Sequence, residues 1–501
     1  MTERPPVTAV RTPPRPPDWS AVRKVHLMGV CGSAMGALAL MLRDRGFIVR
    51  GSDAAPYPPM SDRLAAAGVE VTRGYQAENL DWSPDAAVIG NVMRPDSPEV
   101  LALRARDLPA ASMSETLREV FLRDATPLVV TGTHGKTTTA SMAAWLLHEA
   151  GCDPSFFIGG VVAPWDRNYR LGRAGAGAPF VVEGDEYDTA FWDKDSKFHH
   201  YAPRYASLNN LEFDHADIFP DLDAIIDTFR RFAARVPADG RIVTPLCDAN
   251  SRAALASAVA PVWFTAIAGI DADAPQADIL ASGLQAGAEG ASFQLSLPGA
   301  AAVPVALSVP GLHNVRNALA AAGLAHAAGV GAEAIAAALG SFRLPLRRLT
   351  PTGTFAGVPI LDDFAHHPTA IAATLAAVRL MHPGRRVVAV FEVQSNTARR
   401  RVFQHAFGDA LAQADRVWFS APLAKASDPL PPEARLDLPA LATSITARGT
   451  PADIVEDAEQ LAAAVARDAR PGTDVVVAMS GRDLSGLIGR IAALLAARTN
   501  T

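Results

Sequence analysis

The run Gly132-Thr-His-Gly-Lys-Thr-Thr138 lies between an apolar run, PLVV, and an alanine-rich helical pattern, and no other part of the chain restricts the fold as tightly. Phosphates are bound where backbone N–H groups converge at a helix N-terminus with a cation beside them. Gly132 and Gly135 permit so tight a loop, and Thr133, His134 and Thr138 complete it. Lys136 can reach the β- and γ-phosphates of a nucleoside triphosphate, and Thr137 can offer its hydroxyl to Mg²⁺. The standard phosphate loop places a longer insert between its glycines; here only Thr133 and His134 intervene. An ordinary glycine-containing turn is the bland alternative, but the strand, the lysine and the threonine run together favour phosphate.

A strand–loop–helix unit of this kind belongs to α/β folds with parallel sheets. At 501 residues the chain is too long for one hydrophobic core. Three segments open with short β-rich runs followed by helical patterns, over residues 21–122, 123–345 and 346–501. The first contains KVHLMG, FIVRGSD and AAVIGN, and the second PLVVTG, PFVVEG, YASLNN and RIVTPL. The third contains VPILDD, RRVVAVFEV, DRVWFS and DVVVAMS, with helices expected at 369–381 and around 400–413. In the second, helices are expected at 140–150 and 314–328, and the Ala/Gly-rich stretch 253–302 shows no clear period. Residues 1–20 are rich in proline and lack the apolar core of a signal peptide, which predicts a disordered tail.

Net charge is −6, from 46 basic and 52 acidic residues, so no global field favours nucleic acid or an anionic membrane. No apolar stretch reaches the ~20 residues of a membrane helix. The three cysteines, Cys31, Cys152 and Cys247, are widely spaced and suit reduced thiols in a cytoplasmic protein.

Two acidic clusters follow strand-like runs: EGDEYD, Glu183–Asp188, and NNLEFDHAD, Asn209–Asp217. Ligands of open α/β sheets sit beyond the carboxyl ends of strands, so both clusters are expected to face the phosphate loop. Carboxylate and imidazole there can hold Mg²⁺. Further on, GLHNVRN carries Asn314 and Asn317 near a helix start; their amides can pair with both edges of an adenine or simply serve the first helical turn. LDDFAHHPT carries Asp363, His366 and His367, and two adjacent imidazoles cannot readily share one zinc from a single helical face. The loop GVCGSAMG resembles a loosened dinucleotide-binding loop, with Asp53 about where a ribose-binding acid is expected, a description that NAD, FAD and UDP-sugars all fit.

Taken in order, GTHGKTTT, EGDEYD, NNLEFDHAD, GLHNVRN, LRRL and DDFAHHPT resemble the Mur ligase family, over nearly the whole chain beyond residue 20. The runs IGNVM, EYDTAFWDKDSKFHHYAPR and NNLEFDHADIF resemble the branch that couples a murein tripeptide. The resemblance implies three domains: a Rossmann-like UDP-sugar domain, a central phosphate-loop ATPase and a Rossmann-like domain for the amino substrate. It also implies ATP and Mg²⁺ as cofactors, UDP-N-acetylmuramate and the murein tripeptide as partners, and a monomer or weak dimer.

By position, the resemblance assigns catalysis to Lys136, Glu183, His215 and Arg348, and metal binding to Thr137, Glu183 and His215. Asn210 and Asp214 would order the loop that carries His215. Asn314, Asn317, Arg348 and Asp363 would meet ATP; Gly29, Gly32, Ser52, Asp53, Asn91 and Ser114 would line the UDP-sugar site. His367, Gln394, Ser395 and Asn396 would meet the peptide.

Departures lie in three places. Many relatives carry a carbamoylated lysine after the DH motif, yet His215 to Val236 contains no lysine. Glu392-Val-Gln-Ser-Asn-Thr397 stands where EPRSNT is usual, and Met479–Gly486 where a glycine-rich tail is expected, so Arg399, Arg400 and Arg482 become candidate partners for peptide carboxylates. L-alanine as the amine, and a UDP-muramate sensor without turnover, remain open alternatives.

Overall fold

The computed structural model describes residues 12–420, 430–481, 484 and 486–498. Its strands form three separate sheets. The first joins β1 (Lys24–Met28), β2 (Ile48–Asp53), β3 (Glu70–Arg73), β4 (Ala86–Ile89) and β5 (Ala110–Ser112) in the order β3-β2-β1-β4-β5, all parallel. Such a sheet is covered on both faces, and β1 and β4 are correspondingly apolar and buried.

The second sheet runs β6 (Thr126–Thr131), β7 (Ser155–Val162), β8 (Arg167–Arg170), β9 (Pro179–Glu183), β10 (Tyr205–Leu208), β11 (Arg241–Pro245), β12 (Val262–Ile267), β13 (Ile279–Gly287), β14 (Gly290–Ser296) and β15 (Val303–Leu307). Its order is β15-β14-β13-β12-β11-β10-β6-β9-β7-β8. β6 is therefore flanked by β10 and β9, both parallel to it, with Thr131 beside Leu208 and Val130 beside Glu183. The stretch without a clear sequence period supplies β12 to β15. In β14 and β15 burial alternates residue by residue, the mark of a half-buried antiparallel hairpin.

The third sheet, β16 (Thr350–Phe355), β17 (Val358–Asp363), β18 (Arg386–Glu392), β19 (Arg416–Ser420), β20 (Ala452–Val455) and β21 (Asp474–Met479), has the order β16-β17-β21-β18-β19-β20 and is parallel except at β16. The helix expected around 400–413 is shorter, Gln404–Leu411, because Arg400 pairs in an isolated bridge with Arg435 instead.

Residues 12–20 correct one expectation, the disordered tail over 1–20, of which residues 1–11 lie outside the described residues. They are ordered along the first sheet: Ala110 N–H donates to Arg15 O, and Trp19 packs edge-on to Phe47. Proline removes donors but leaves carbonyls, so a proline-rich segment can still accept bonds from a sheet edge. No described helix is long and apolar enough to cross a membrane.

The segment between β9 and β10 ties the first two sheets together. Phe191 from this segment is buried in a cluster with Met28, Ile89 and Met93 of the first unit. Farther along, Phe198 packs on Phe229 and Phe232, and His199 beside it is buried with neither ring nitrogen partnered. Burial, with Arg231 and Arg235 nearby, pushes the His199 imidazole down to about 4. The sign is clear: the unfolded ring titrates near ~6.5, so stability is full above that pH and declines as pH falls through about 4. His199→Leu is expected to flatten the fall of the thermal midpoint between pH 6.5 and 4. Parallel pH profiles for wild type and variant would contradict this.

Candidate active site

The loop after β6 is shaped by two glycines. Gly132 has φ +117° and Gly135 has φ +76°, both unfavourable to other residues. A Cβ on Gly132 would stand 2.8 Å from Asn209 N, and one on Gly135 2.3 Å from Asn317 Oδ1. Gly135 is the N-cap of the helix Lys136–Glu149, which starts earlier than its alanine pattern because the left-handed glycine turns the chain directly into the threonine run. First-turn N–H groups of such a helix have no intrahelical acceptor, so this end is built for an anion.

The adjacency of β10, β6 and β9 brings the three motif loops to one edge. Asn210 accepts His134 N–H on its side chain at 2.8 Å and Thr133 N–H on its carbonyl at 2.8 Å. Asn209 Nδ2 donates to Thr139 Oγ1 at 2.9 Å, and Glu212 N–H to Thr133 Oγ1 at 2.9 Å. The segment after β10 is thus a brace for the loop after β6.

Lys136 Nζ donates to Gly132 O at 2.7 Å and to Glu186 Oε1 at 2.9 Å. Burial opposes its charge, but Glu186, Glu183 and Asp185 outweigh that and hold the ammonium above its ordinary value. Burial raises Glu186 against the pull of Lys136 and His215. Thr137 Oγ1 donates to Glu183 Oε1 at 2.8 Å, and Glu183 Oε2 accepts Gly159 N–H at 2.7 Å.

His215 has φ +50°, uncommon for a residue with a Cβ and often found at functional positions. Its Nε2 lies 3.9 Å from Glu186 Oε2, a buried oxygen that also stands 2.9 Å from Lys136 Nζ. A hard cation fits there: carboxylate and hydroxyl at Glu183 and Thr137, carboxylate and imidazole at Glu186 and His215. These form two separate pairs, not one cluster. Asp214, held far below the usual carboxylate range by His215, His366 and His367 despite burial, accepts His215 N–H at 2.6 Å.

Arg348 approaches from the linker to the third unit. The residues on either side, Arg347 and Leu349, have φ +62° and +48°, a strained alternation that turns Arg348 toward Thr137 Oγ1 at 3.4 Å. Its guanidinium lies 4.9 Å from the Phe364 ring, and burial draws its pKa down. Asp363 accepts Leu349 N–H at 2.7 Å, Ala365 N–H at 2.9 Å and Thr374 Oγ1 at 3.0 Å, so its carboxylate anchors the linker.

Beside the loop lies a cavity of about 550 Å³, lined by His134, Asn314, Asn317, Arg348, Ala373 and Ala377 among others. Asn314 Nδ2 donates to Pro310 O and Asn317 Nδ2 to Asn314 Oδ1, so each amide keeps one N–H in reserve.

The residues expected to meet a UDP-sugar separate into two groups. Gly29, Gly32, Asp53 and Asn91 lie at the carboxyl ends of β1, β2 and β4. Ser52 and Ser114 are fully buried: Ser52 Oγ donates to Glu99 at 2.7 Å, and Ser114 Oγ lies 3.4 Å from Ser112 Oγ, so their hydroxyls face inward. Asp53 accepts Cys31 N–H at 2.9 Å and Ala55 N–H at 3.2 Å, which makes it a staple for the glycine-rich loop.

Of the residues expected to meet a peptide, Asn396 and His367 reach across to the second unit, while Gln394 and Ser395 bond within the third. Asn396 Nδ2 donates to Asp217 at 2.7 Å, and Thr397 Oγ1 to Asp214 at 2.5 Å. Gln394 Nε2 donates to the buried Glu392 at 2.7 Å, and Ser395 Oγ accepts Ala398 N–H at 2.9 Å within its own turn. His367 Nε2 lies 3.3 Å from Phe213 O; burial and His134 push its imidazole down to about 4. Phe213 stacks on Phe403 at 6.0 Å. Of the two runs that depart from the family pattern, the second includes Arg482, which lies outside the described residues. Glu186, Asn209, Glu212 and Thr397 were not singled out from the sequence: all lay inside quoted motifs, but their partners come from other loops or units.

Three family descriptions match the chain: "Mur ligase family, catalytic domain" over residues 24–124, "Mur ligase middle domain" over 130–325 and "Mur ligase, glutamate ligase domain" over 347–482. The chain is 40% identical over 467 residues to the Escherichia coli UDP-N-acetylmuramate–L-alanyl-γ-D-glutamyl-meso-2,6-diaminoheptandioate ligase, covering 91% of this chain and 95% of that one. It is 34% identical to a Mycobacterium sp. UDP-N-acetylmuramate–L-alanine ligase, covering 98% of each. The crystal structure of a murein peptide ligase from Psychrobacter arcticus superposes with TM-score 0.72 at 33% identity, covering 95% of this chain and 99% of that one.

Proposed function

The chain belongs to the Mur ligase family of ATP-dependent, amide-forming ligases, and we propose that it joins the lactyl carboxylate of UDP-N-acetylmuramate to the L-alanyl amine of a murein tripeptide. The observation that carries this reading is the convergence of Lys136, Thr137, Glu183, Glu186 and Arg348 at one helix start, where three parallel strands end.

A carboxylate is a poor electrophile until one of its oxygens becomes a leaving group. The γ-phosphoryl group of ATP moves to the lactyl carboxylate, the β–γ bridge breaks and ADP departs. The peptide amine then attacks the acyl carbon, the C–O bond to phosphate breaks, and the amine loses its proton. Both reactants of the first step are anions, so its barrier is electrostatic. Lys136 stands where an ammonium can stabilise the transferring group, and Arg348 adds charge from the linker. In this reading Thr137 and Glu183 hold a first Mg²⁺ and His215, with Glu186 beside it, a second. Mg²⁺, when bound, neutralises charge on phosphate oxygens. Asn314 and Asn317 meet the adenine, with Asp363 acting through the linker it anchors.

Gly29, Gly32, Asp53 and Asn91 serve the UDP-sugar through the glycine-rich loop and strand ends, and Ser52 and Ser114 through backbone groups. The peptide meets the face near Glu392-Val-Gln-Ser-Asn-Thr397, where an arginine at position 394 would first answer the buried Glu392 carboxylate. Closure of the third unit over the second, fastened by Asn396, Thr397 and Phe213, excludes water from an acyl phosphate. The reading places the reaction in the cytoplasm, on a monomer or weak dimer.

The choice of amine is tested by incubating the purified protein with UDP-N-acetylmuramate, ATP and Mg²⁺ and following phosphate release. Release is expected with the tripeptide and to be far slower with L-alanine; the reverse order would assign the chain to alanine ligation, and no release with either amine would favour a binding protein. Lys136→Ala is expected to lower turnover on the order of 10²–10³-fold while UDP-N-acetylmuramate binding persists, since that site lies on another unit. Turnover close to wild type would remove the phosphate-loop assignment.

A further inference from the structure

At the seam between the second and third units, three side chains from distant segments aim one donor atom each at a common point. His134 comes from the loop after β6, Glu212 from the segment after β10 and His367 from the segment after β17. Their donor atoms lie within 4.8 Å of one another. His134 Nε2 lies 3.4 Å from Glu212 Oε2, a spacing its N–H spans as a hydrogen bond when no metal is bound, and His367 Nδ1 lies 3.7 Å from the same oxygen. Two donors at zinc bond lengths of ~2.0–2.2 Å in a tetrahedral arrangement stand ~3.4 Å apart, so two of the three spacings already suit a metal, and the third lies within 4.8 Å.

The orientation of His367 is a second, independent indication. Its Nε2 faces the carbonyl of Phe213 at 3.3 Å, and a carbonyl only accepts, so Nε2 carries the hydrogen and Nδ1 presents a lone pair. That lone pair is turned on the Glu212 carboxylate, itself only an acceptor. The Thr369 N–H donates to Nδ1 at 3.4 Å, a long and weak bond that leaves room for a stronger partner. His367 is buried while His134 and Glu212 are partly exposed; the two acceptors, 3.7 Å apart, repel, and a cation between them would remove the conflict. An imidazole whose far nitrogen donates to a backbone carbonyl is also the usual support for a metal-bound histidine. Thr369 Oγ1, donating to Glu212 Oε2 at 2.5 Å, steadies the carboxylate in the same way.

We propose that His134, Glu212 and His367 form a site for an imidazole-preferring divalent metal such as Zn²⁺, separate from the hard-cation positions beside Thr137 and His215. Two imidazoles and one carboxylate select Zn²⁺ or its first-row neighbours over Mg²⁺, which keeps to oxygen and retains its water. Because two donors belong to the second unit and one to the third, the ion clasps the units. Because His134 is part of the phosphate loop, the clasp fixes that loop in the closed arrangement, and Zn²⁺ slows the release of products.

The test uses the full-length protein in millimolar Mg²⁺, titrated with Zn²⁺ against a chromophoric chelator, with thermal midpoints and turnover measured alongside. One equivalent is expected to bind, raise the midpoint and inhibit turnover. Co²⁺ in its place is expected to give the visible absorption of a nitrogen- and oxygen-ligated ion. Glu212→Gln and His367→Ala should each weaken Zn²⁺ at least tenfold and abolish the rise in midpoint. Unchanged affinity in both variants, or a wild-type protein that neither shifts its midpoint with Zn²⁺ nor gives the Co²⁺ absorption, would overturn the proposal; the wild-type arm decides it even if a variant fails to fold.

Discussion

A buried ammonium stays charged only where carbonyls and carboxylates replace the water it has lost. Lys136 meets that condition through Gly132 O, Thr133 O and Glu186, supplied by two adjoining strand ends of the central sheet. The carbonyls come from the loop itself, which needs left-handed glycines to fold back on the lysine. Glu186 comes from the neighbouring strand end, β9, and the brace under the loop from the other neighbour, β10. Were β6 at an edge, or its neighbours antiparallel, these groups would lie at opposite ends of the sheet. The strand order is thus the constraint from which the site follows.

The same cation explains why the other units close where they do. Its surroundings carry Glu183, Asp185 and Glu186, an excess of negative charge that only additional cations balance. Lys197 donates to Asp185 at 3.1 Å from within the central unit. Arg348 enters from the linker, held by strained residues on both sides. The DH loop reaches across to Thr397 and Asn396, so the position of His215 depends on the third unit being docked. Contacts across the seam thus tie the order of the site to the docking of the third unit, which suits chemistry that water would spoil.

Much of this was legible in the sequence wherever one physical signal dominated. Buried parallel strands such as PLVV and DVVVAM announce themselves by β-branched composition, and chemistry placed after them falls at the correct sheet edge. The Ala/Gly-rich stretch hid β12 to β15, because alanine serves helix and strand alike and weakens any period. The helix at Lys136 began earlier than expected because a glycine cap overrode the poor helical preference of threonine. Residues 12–20 were misjudged because composition counts lost donors and not the carbonyls that remain. At the site, Lys136 could be singled out from its local motif, and Glu183 and His215 by their positions in motifs that resemble the family's. Glu186, Thr397 and the inward turn of Ser52 could not, since each is decided by a partner far away in the chain. His367 shows the same limit: beside His366 it looked poorly placed for a metal, and only the fold brings His134 and Glu212 to it.

The central claim is that ATP activates a carboxylate at this cluster by phosphorylating it. It is tested most directly by running the reaction with UDP-N-acetylmuramate carrying ¹⁸O in its lactyl carboxylate and analysing the inorganic phosphate by mass. Passage through an acyl phosphate predicts that each phosphate released carries one oxygen from the carboxylate. Amide product accompanied by unlabelled phosphate would contradict the account.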